Sequence, residues 1–238
     1  MKVSDLKRGL IVSCQALPED PLYGCMDKMA LAAEIGGAVA VRVNSVKDIT
    51  DVKRLVSIPV MGIIKKRYPN CNAYITPTIE EVRQVVEAGA QIVAVDATDA
   101  IKPDGKTTEQ FIYDIKSRFD IIVMGDVSSV EEGVKAASYG IDIVATTLTQ
   151  AVKSPNYPNQ NKEDTLHLPP DIDMIEELAS RVSIPVFAEG RYWGPEDTVR
   201  AFEVGAHSVV IGSAITRPQL ATKRIAQAIN KYLAAANG

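Results

Sequence analysis

Two residues at the ends of apolar runs carry the chemistry most readily found in this sequence. In Pro185-Val186-Phe187-Ala188-Glu189-Gly190-Arg191 the run stops at an acid, a glycine and an arginine, and in Pro59–Lys65 it stops at a lysine. A carboxylate placed where a buried strand meets a loop is held by the strand and reachable from the loop. A lysine partly desolvated at the end of Pro59–Ile64 has its pKa lowered toward neutrality, where it can take a proton. Facing each other across a phosphate-anchored substrate, Lys65 and Glu189 suit proton abstraction beside a carbonyl. Lys66 and Arg67 have the character of an exposed basic pair, and Glu189 taken alone would pass for a solvated strand end.

Such groups need a scaffold, and the chain supplies a regular one. Its 238 residues suit either one α/β barrel or two small domains. Short Val/Ile-rich runs alternate with segments of helical periodicity throughout, as in βα units around a parallel sheet whose strands are covered on both faces. The runs are Leu10–Ala16, Ala38–Asn44, Pro59–Lys65, Gln91–Ala97, Ile121–Val127, Ile141–Thr147, Pro185–Gly190 and His207–Ser213. Helix starts are marked by the cap-box spacings beginning at Thr78, Thr107 and Ser128, and by Pro195 after Gly194. Ile172, Ile175, Leu178 and Val182 place one apolar face on a further helix.

An internal echo decides between an open sheet and a closed one. Gly36-Gly37, Gly89, Gly140 and Gly205 each stand between a helix and the second, fourth, sixth or eighth run, where a helix can end in the left-handed conformation. Two odd-numbered runs begin with the same tetrapeptide, Ser57-Ile58-Pro59-Val60 and Ser183-Ile184-Pro185-Val186. A two-unit repeat over eight strands predicts a (β/α)8 TIM barrel, one domain spanning 1–238. Its main irregularity is the polar stretch Leu148 to Pro170, a long sixth βα loop with the character of a lid, binding loop or disordered insertion.

Active sites of such barrels collect at the C-terminal ends of the strands. Those ends carry Gln15, Arg42 with Asn44, Lys65, Asp96, Asp126, Thr146 with Thr147, Glu189 with Arg191, and Gly212 with Ser213. The loops after the seventh and eighth strands frequently bind phosphate through backbone N–H groups and a helix N-terminus. Here they contain Gly190-Arg191 and Gly212-Ser213-Ala214-Ile215-Thr216-Arg217-Pro218: glycines for close backbone approach and arginines for a charge-assisted fork.

Composition narrows the partners. A net charge of -4 supplies no broad basic field for a nucleic-acid backbone. The first residues form neither a secretion signal nor a membrane span, which makes the cytoplasm the expected compartment. Cys14, Cys25 and Cys71 match no zinc or redox spacing, and His167 and His207 are too few for a histidine-rich metal site, although a carboxylate-held magnesium stays open. No metal and no organic cofactor are expected. Amphipathic outer helices are compatible with a homodimer.

Several of these segments resemble one known family. Ile11-Val12-Ser13-Cys14-Gln15-Ala16, Gly62-Ile63-Ile64-Lys65, Tyr74-Ile75-Thr76-Pro77-Thr78, Val95-Asp96-Ala97-Thr98, Ala188-Glu189-Gly190-Arg191 and Ala214-Ile215-Thr216-Arg217-Pro218 look like the motifs of the N-acylglucosamine-6-phosphate 2-epimerases, also called N-acetylmannosamine-6-phosphate 2-epimerases. The motifs occur in the family's order over nearly the whole chain. The resemblance implies a barrel that interconverts N-acetylmannosamine 6-phosphate and N-acetylglucosamine 6-phosphate in sialic acid and amino-sugar catabolism. It implies that Lys65 exchanges the C2 proton with Glu189 as its partner. It further implies that Gln15, Arg42 and Asp126, together with Thr147, hold the sugar and its N-acetyl group, while Gly190, Arg191, Gly212, Ser213 and Arg217 surround the phosphate. The chain departs from the family at Thr149-Gln150-Ala151 and the loop that follows, beside the expected sugar pocket. A barrel lyase or isomerase for a different phosphorylated sugar and a non-catalytic sugar-phosphate sensor are the alternatives.

Overall fold

The computed structural model describes residues 1–148 and 168–236. Eight parallel strands close into a barrel in sequence order, β1 (Gly9–Cys14), β2 (Ala40–Asn44), β3 (Val60–Ile63), β4 (Ile92–Asp96), β5 (Ile122–Asp126), β6 (Ile143–Ala145), β7 (Val186–Glu189) and β8 (Ser208–Ile211). Closure is made by β1 against β8, with Gly9 opposite Ser208 and Val12 opposite Ile211. Seven of the eight strands lie inside their predicted runs and are shorter at one or both ends, because the outer residues of each run have left the ladder for the connecting loops, whereas β1 starts one residue early at Gly9.

The helices are α1 (Met26–Ile35), α2 (Val46–Lys53), α3 (Ile79–Glu87), α4 (Thr108–Arg118), α5 (Val130–Ser138), α6 (Ile172–Arg181), α7 (Pro195–Glu203), the single turn α8 (Ser213–Thr216) and α9 (Pro218–Ala236). Thr107 caps α4 with the full reciprocal box expected from its spacing, its hydroxyl accepting from Gln110 N–H while Gln110 accepts from Thr107 N–H. Two cap expectations need correction. The cap of α5 is Ser129 rather than Ser128, and Glu132 reaches back to Ser128 N–H. Thr78 stands at the N-cap of α3 but its hydroxyl accepts from no backbone N–H there, because it donates to the Glu81 carboxylate, which also holds the preceding loop. Ile175 and Leu178 are buried on α6 with Ile172 and Val182 packed beside them, as their spacing predicted.

Two apolar layers follow from the period of two along each strand. One phase fills the barrel with Ile11, Ala40, Met61, Ile63, Ile92, Ala94, Met124, Ile143, Ala145, Phe187 and Val210. The other phase, including Val41, Val43, Val93, Val95, Val123, Val144, Ala188 and Val209, packs beneath the helices. A side chain at Gly62 would sit 2.6 Å from Val85 Cγ1 and 2.9 Å from Ile49 Cδ1, so glycine there lets α2 and α3 press against β3. Continued toward the C-terminal ends, the inward phase reaches Arg42, Asp126 and Glu189, so the apolar filling gives way to charge at the mouth. Residues 149 to 167, most of the predicted long loop, lie outside the described residues.

Candidate active site

The inward ends of β2, β5 and β7 bring three charges together. Arg42 Nη1 donates to Asp126 Oδ1 at 3.0 Å and to Glu189 Oε2 at 2.6 Å, and Nη2 donates to Asp126 Oδ2. The side chains of Arg42 and Asp126 are 1% and 0% exposed, and that of Glu189 is 15% exposed, so one oxygen-bearing edge of this cluster reaches the mouth. A buried charge survives only where it is paired and hydrogen-bonded, and the fork of a guanidinium matches a carboxylate on two sides.

Thr147, two residues beyond β6, joins the cluster from the side. Its hydroxyl lies 2.6 Å from Asp126 Oδ1 and 3.0 Å from Glu189 Oε2, and it also accepts from Arg42 Nη1 at 3.3 Å. A hydroxyl has one hydrogen, so Thr147 donates to one carboxylate at a time. Burial raises the pKa of Glu189; Arg42 opposes this, the negative Asp126 reinforces it, and the net shift is upward. Burial also works against the charge on Arg42, but the two carboxylates outweigh it and hold the guanidinium firmly protonated.

The neighbouring Thr146 fixes the strand that carries Glu189. Pairing of β6 with β7 covers only Val144 with Val186 and Ala145 with Phe187. Beyond it the Thr146 hydroxyl donates to the Glu189 carbonyl at 3.1 Å and accepts from Glu189 N–H at 3.1 Å, so a side chain continues the ladder where the backbone stops. Thr146 stands among the predicted strand-end residues, but nothing in a single sequence assigns it this task.

Lys65 lies two residues past β3, close enough to Glu189 for its charge to favour the ionised carboxylate. It is exposed, which corrects the expectation that the strand end itself desolvates it: the apolar run closes at Ile63, and the chain has already turned into the loop. Lys66 also departs from its bland character, since its Nζ reaches the buried Glu81 at 3.0 Å.

The predicted phosphate residues occupy the mouth beside β7, β8 and β1. Gly190 and Arg191 are both left-handed, at φ 113° and 66°. Gly190 suits that conformation, whereas an arginine in it carries strain that the surroundings must offset. Burial lowers the pKa of Arg191, and its Nε has no hydrogen-bond partner. Gly212 precedes the short α8, whose Ser213 begins the turn, and Thr216 closes it by donating to Ser13 O at 3.1 Å. Arg217 is 4% exposed and meets Asp20 at 3.2 Å, while Gln219 donates to the other Asp20 oxygen at 2.9 Å. Gln15 donates to Ser13 Oγ at 2.7 Å and leaves its own buried oxygen without a partner. Buried polar atoms of Gln15, Arg191, Arg217 and Gln219 lack a hydrogen-bond partner among the described residues, as do Arg42 Nε and Tyr192 OH. Asp20 was missed from sequence because the first βα loop has no motif of its own, and Gln219 because it sits in the first turn of α9, just past the eighth-strand motif.

The comparisons with known proteins agree with this geometry. A family model described as "Putative N-acetylmannosamine-6-phosphate epimerase" matches residues 26–231. A relative from Caldanaerobacter subterraneus subsp. tengcongensis is 51% identical over 226 residues, covering 93% of this chain and 91% of its own, and one from Clostridioides difficile is 42% identical, covering 94% and 97%. Both carry the same designation as 2-epimerases. The solved N-acetylmannosamine-6-phosphate 2-epimerase from Clostridium perfringens superposes with a TM-score of 0.84 at 38% identity, covering 94% of each chain. A thiamine phosphate pyrophosphorylase from Pyrococcus furiosus, at 14% identity and a TM-score of 0.56, shares the fold alone. With the family model spanning most of the barrel and relatives this similar over nearly their whole length, the chain belongs to the N-acetylmannosamine-6-phosphate epimerase family.

Proposed function

We propose that this chain interconverts N-acetylmannosamine 6-phosphate and N-acetylglucosamine 6-phosphate by proton transfer at C2. The observation that carries the reading is the Arg42, Asp126 and Glu189 cluster at the inward strand ends with Lys65 on the rim above it. The chemical difficulty is the weak acidity of C2, which is relieved when the sugar opens and C2 lies beside a C1 carbonyl. Lys65 acts as the base that takes the C2 proton, and the electron pair moves through the C1–C2 bond onto the carbonyl oxygen. Glu189, whose pKa is raised, gives its proton to that oxygen and leaves a neutral enediol. To complete the inversion, the oxygen proton returns to Glu189, solvent delivers a proton to the opposite face of C2, and Lys65 releases the proton it took to solvent.

Arg42, Asp126 and Thr147 hold Glu189 in place, and with Gln15 they face the sugar and its N-acetyl group. Gly190, Arg191, Gly212, Ser213 and Arg217 surround the phosphate. A direct assay with both N-acetylhexosamine 6-phosphates tests the reading. In deuterium oxide the product should carry deuterium at C2, and Lys65→Met should abolish conversion in a folded protein. Binding without turnover would identify a sensor instead, and turnover of only another phosphorylated sugar would identify a different barrel isomerase.

No helix among the described residues is long and apolar enough to cross a membrane. A sugar phosphate carries charge that a bilayer excludes, so enzyme and substrate share one compartment, which we assign to the cytoplasm. A homodimer is supported by α9. No residue of this helix is buried, and Ile225, Ile229, Tyr232 and Leu233 stand exposed at helical spacing. A second copy would cover them. Light scattering on the parent and on Ile229→Asp should show a dimer that the substitution weakens.

A further inference from the structure

We infer that Asn44, Thr76 and Glu81 are positioning residues for Lys65, forming a mount that carries its backbone beyond the last rung of the barrel. The inference rests on the epimerase reading. Pairing between β2 and β3 ends with Asn44 opposite Ile63, two residues before Lys65. There the Asn44 carboxamide oxygen accepts the Lys65 N–H at 2.9 Å, so a side chain of one strand end stands in for the missing rung.

The other edge of the segment is held by its own loop. Ile64 N–H donates to Thr76 Oγ1 at 3.1 Å, Thr76 N–H donates to Ile64 O at 2.8 Å, and Lys66 N–H donates to Tyr74 O at 2.9 Å. These bonds make a short antiparallel clip with Lys65 opposite Ile75. Thr76 is fully buried in a left-handed conformation, φ 45°, a strained geometry for a β-branched residue. The clip is anchored to the barrel as well, since Asp96 N–H donates to Ile75 O at 2.8 Å.

Glu81, on the first turn of α3, ties down the flanks. Its carboxylate, 1% exposed, accepts from Lys66 Nζ at 3.0 Å, from Tyr68 OH at 2.7 Å and from the Thr78 hydroxyl. This explains why α3 lacks the capping box its sequence predicts: the carboxylate that would close the box holds the loop instead. The backbone of Lys65 carries its reactive nitrogen, so the mount sets the point from which that nitrogen reaches the substrate. A shift of an ångström there costs turnover while leaving the phosphate anchor untouched.

The test compares Asn44→Ala, Asn44→Asp and Glu81→Gln with the parent protein, measuring kcat, KM and C2 deuterium uptake with N-acetylmannosamine 6-phosphate. Asn44→Ala should lower kcat and C2 exchange about 10- to 100-fold with KM unchanged. Asn44→Asp, which keeps the acceptor oxygen, should recover most of that loss, and Glu81→Gln should lower kcat alone. Parental kcat in both Asn44→Ala and Glu81→Gln would overturn the inference. So would a loss that appears equally in KM, or one that Asn44→Asp fails to restore. If Asn44→Ala does not fold, Glu81→Gln decides by the same split between kcat and KM. A parent protein that exchanges no C2 proton refutes the epimerase reading and this inference with it; an active parent with unaffected variants refutes this inference alone.

Discussion

Replacing Arg42 by methionine removes the cation that Asp126 and Glu189 share inside the barrel mouth. The substitution keeps most of the stem and deletes the hydrogen bonds to both carboxylates and to Thr147. Removing one member of a buried ion pair leaves an uncompensated charge and costs about 3–5 kcal/mol. In a domain of this size each kcal/mol lowers the unfolding midpoint by about 2–4 °C, so Arg42→Met should melt about 6–20 °C below the parent.

The loss should also depend on pH in a definite direction. Without the guanidinium the two carboxylates repel each other in a poorly solvated site, and the folded pKa of Glu189 rises further above its unfolded value near about 4. A group whose folded pKa is raised contributes stability that is fully present below the unfolded pKa and is lost as pH rises through the folded pKa. The deficit of Arg42→Met relative to the parent should therefore be largest near about pH 8 and shrink toward about pH 5. Urea unfolding of both proteins across that range measures it, and Arg42→Met combined with Asp126→Asn should recover part of the deficit at the higher pH. A deficit below about 1 kcal/mol, or one of equal size at both ends of the range, would show that the two carboxylates are not held by Arg42 in the folded chain.

Three further outcomes follow from the same geometry. Glu189→Gln should fold and bind sugar phosphate but lose about 100- to 10,000-fold in kcat, measured by epimer ratio, since an amide cannot pass on a proton; in the parent, turnover should fall as pH rises through the raised Glu189 pKa. Thr146→Val should cost about 1–3 kcal/mol in urea unfolding, because both bonds to the Glu189 backbone disappear, and it should lower kcat without affecting phosphate inhibition. Arg217→Ala should raise KM for the sugar phosphate and weaken inhibition by inorganic phosphate in parallel, by about 10- to 100-fold; pairing it with Asp20→Asn should restore stability without restoring KM.

Much of this arrangement was legible because a barrel places chemistry at predictable positions. Eight runs alternating with helices, and glycines recurring before the even strands, are enough to close the sheet. Closure then identifies the strand ends as the mouth. What stayed hidden depended on side chains that close local rings. Thr78 and Glu81 have the spacing of a capping box, but the carboxylate has a better set of donors in Lys66, Tyr68 and Thr78. Spacing along a helix cannot reveal a competing partner in the loop before it. Likewise the apolar run before Lys65 suggested burial, whereas the inward phase fills with Met61 and Ile63 and leaves Lys65 above the filling. A period-of-two count through Arg42 and Asn44 on the second strand, and Asp126 on the fifth, would have grouped these inward positions.

The seventh strand joins the two halves of the proposed reaction. Glu189 is its last residue, and the next two residues are the left-handed Gly190 and Arg191 of the proposed phosphate loop. Consecutive left-handed residues bend the chain back within one turn, so the proposed proton-transfer and phosphate sites are separated by a single peptide step rather than by a flexible loop. Thr146 clamps this step from the Glu189 side, while the Trp193 ring lies 4.9 Å from the Arg224 guanidinium of α9 on the other. Ordering of Arg191 by a bound phosphate would then stiffen the backbone that carries Glu189. On this geometry an unphosphorylated sugar should lose turnover as well as affinity, because binding energy from the remote phosphate is realised at the reacting carbon. N-acetylmannosamine itself, assayed with and without added inorganic phosphite, measures the coupling directly: phosphite should raise the rate of C2 exchange, and no increase at saturating phosphite would uncouple the two ends of the strand.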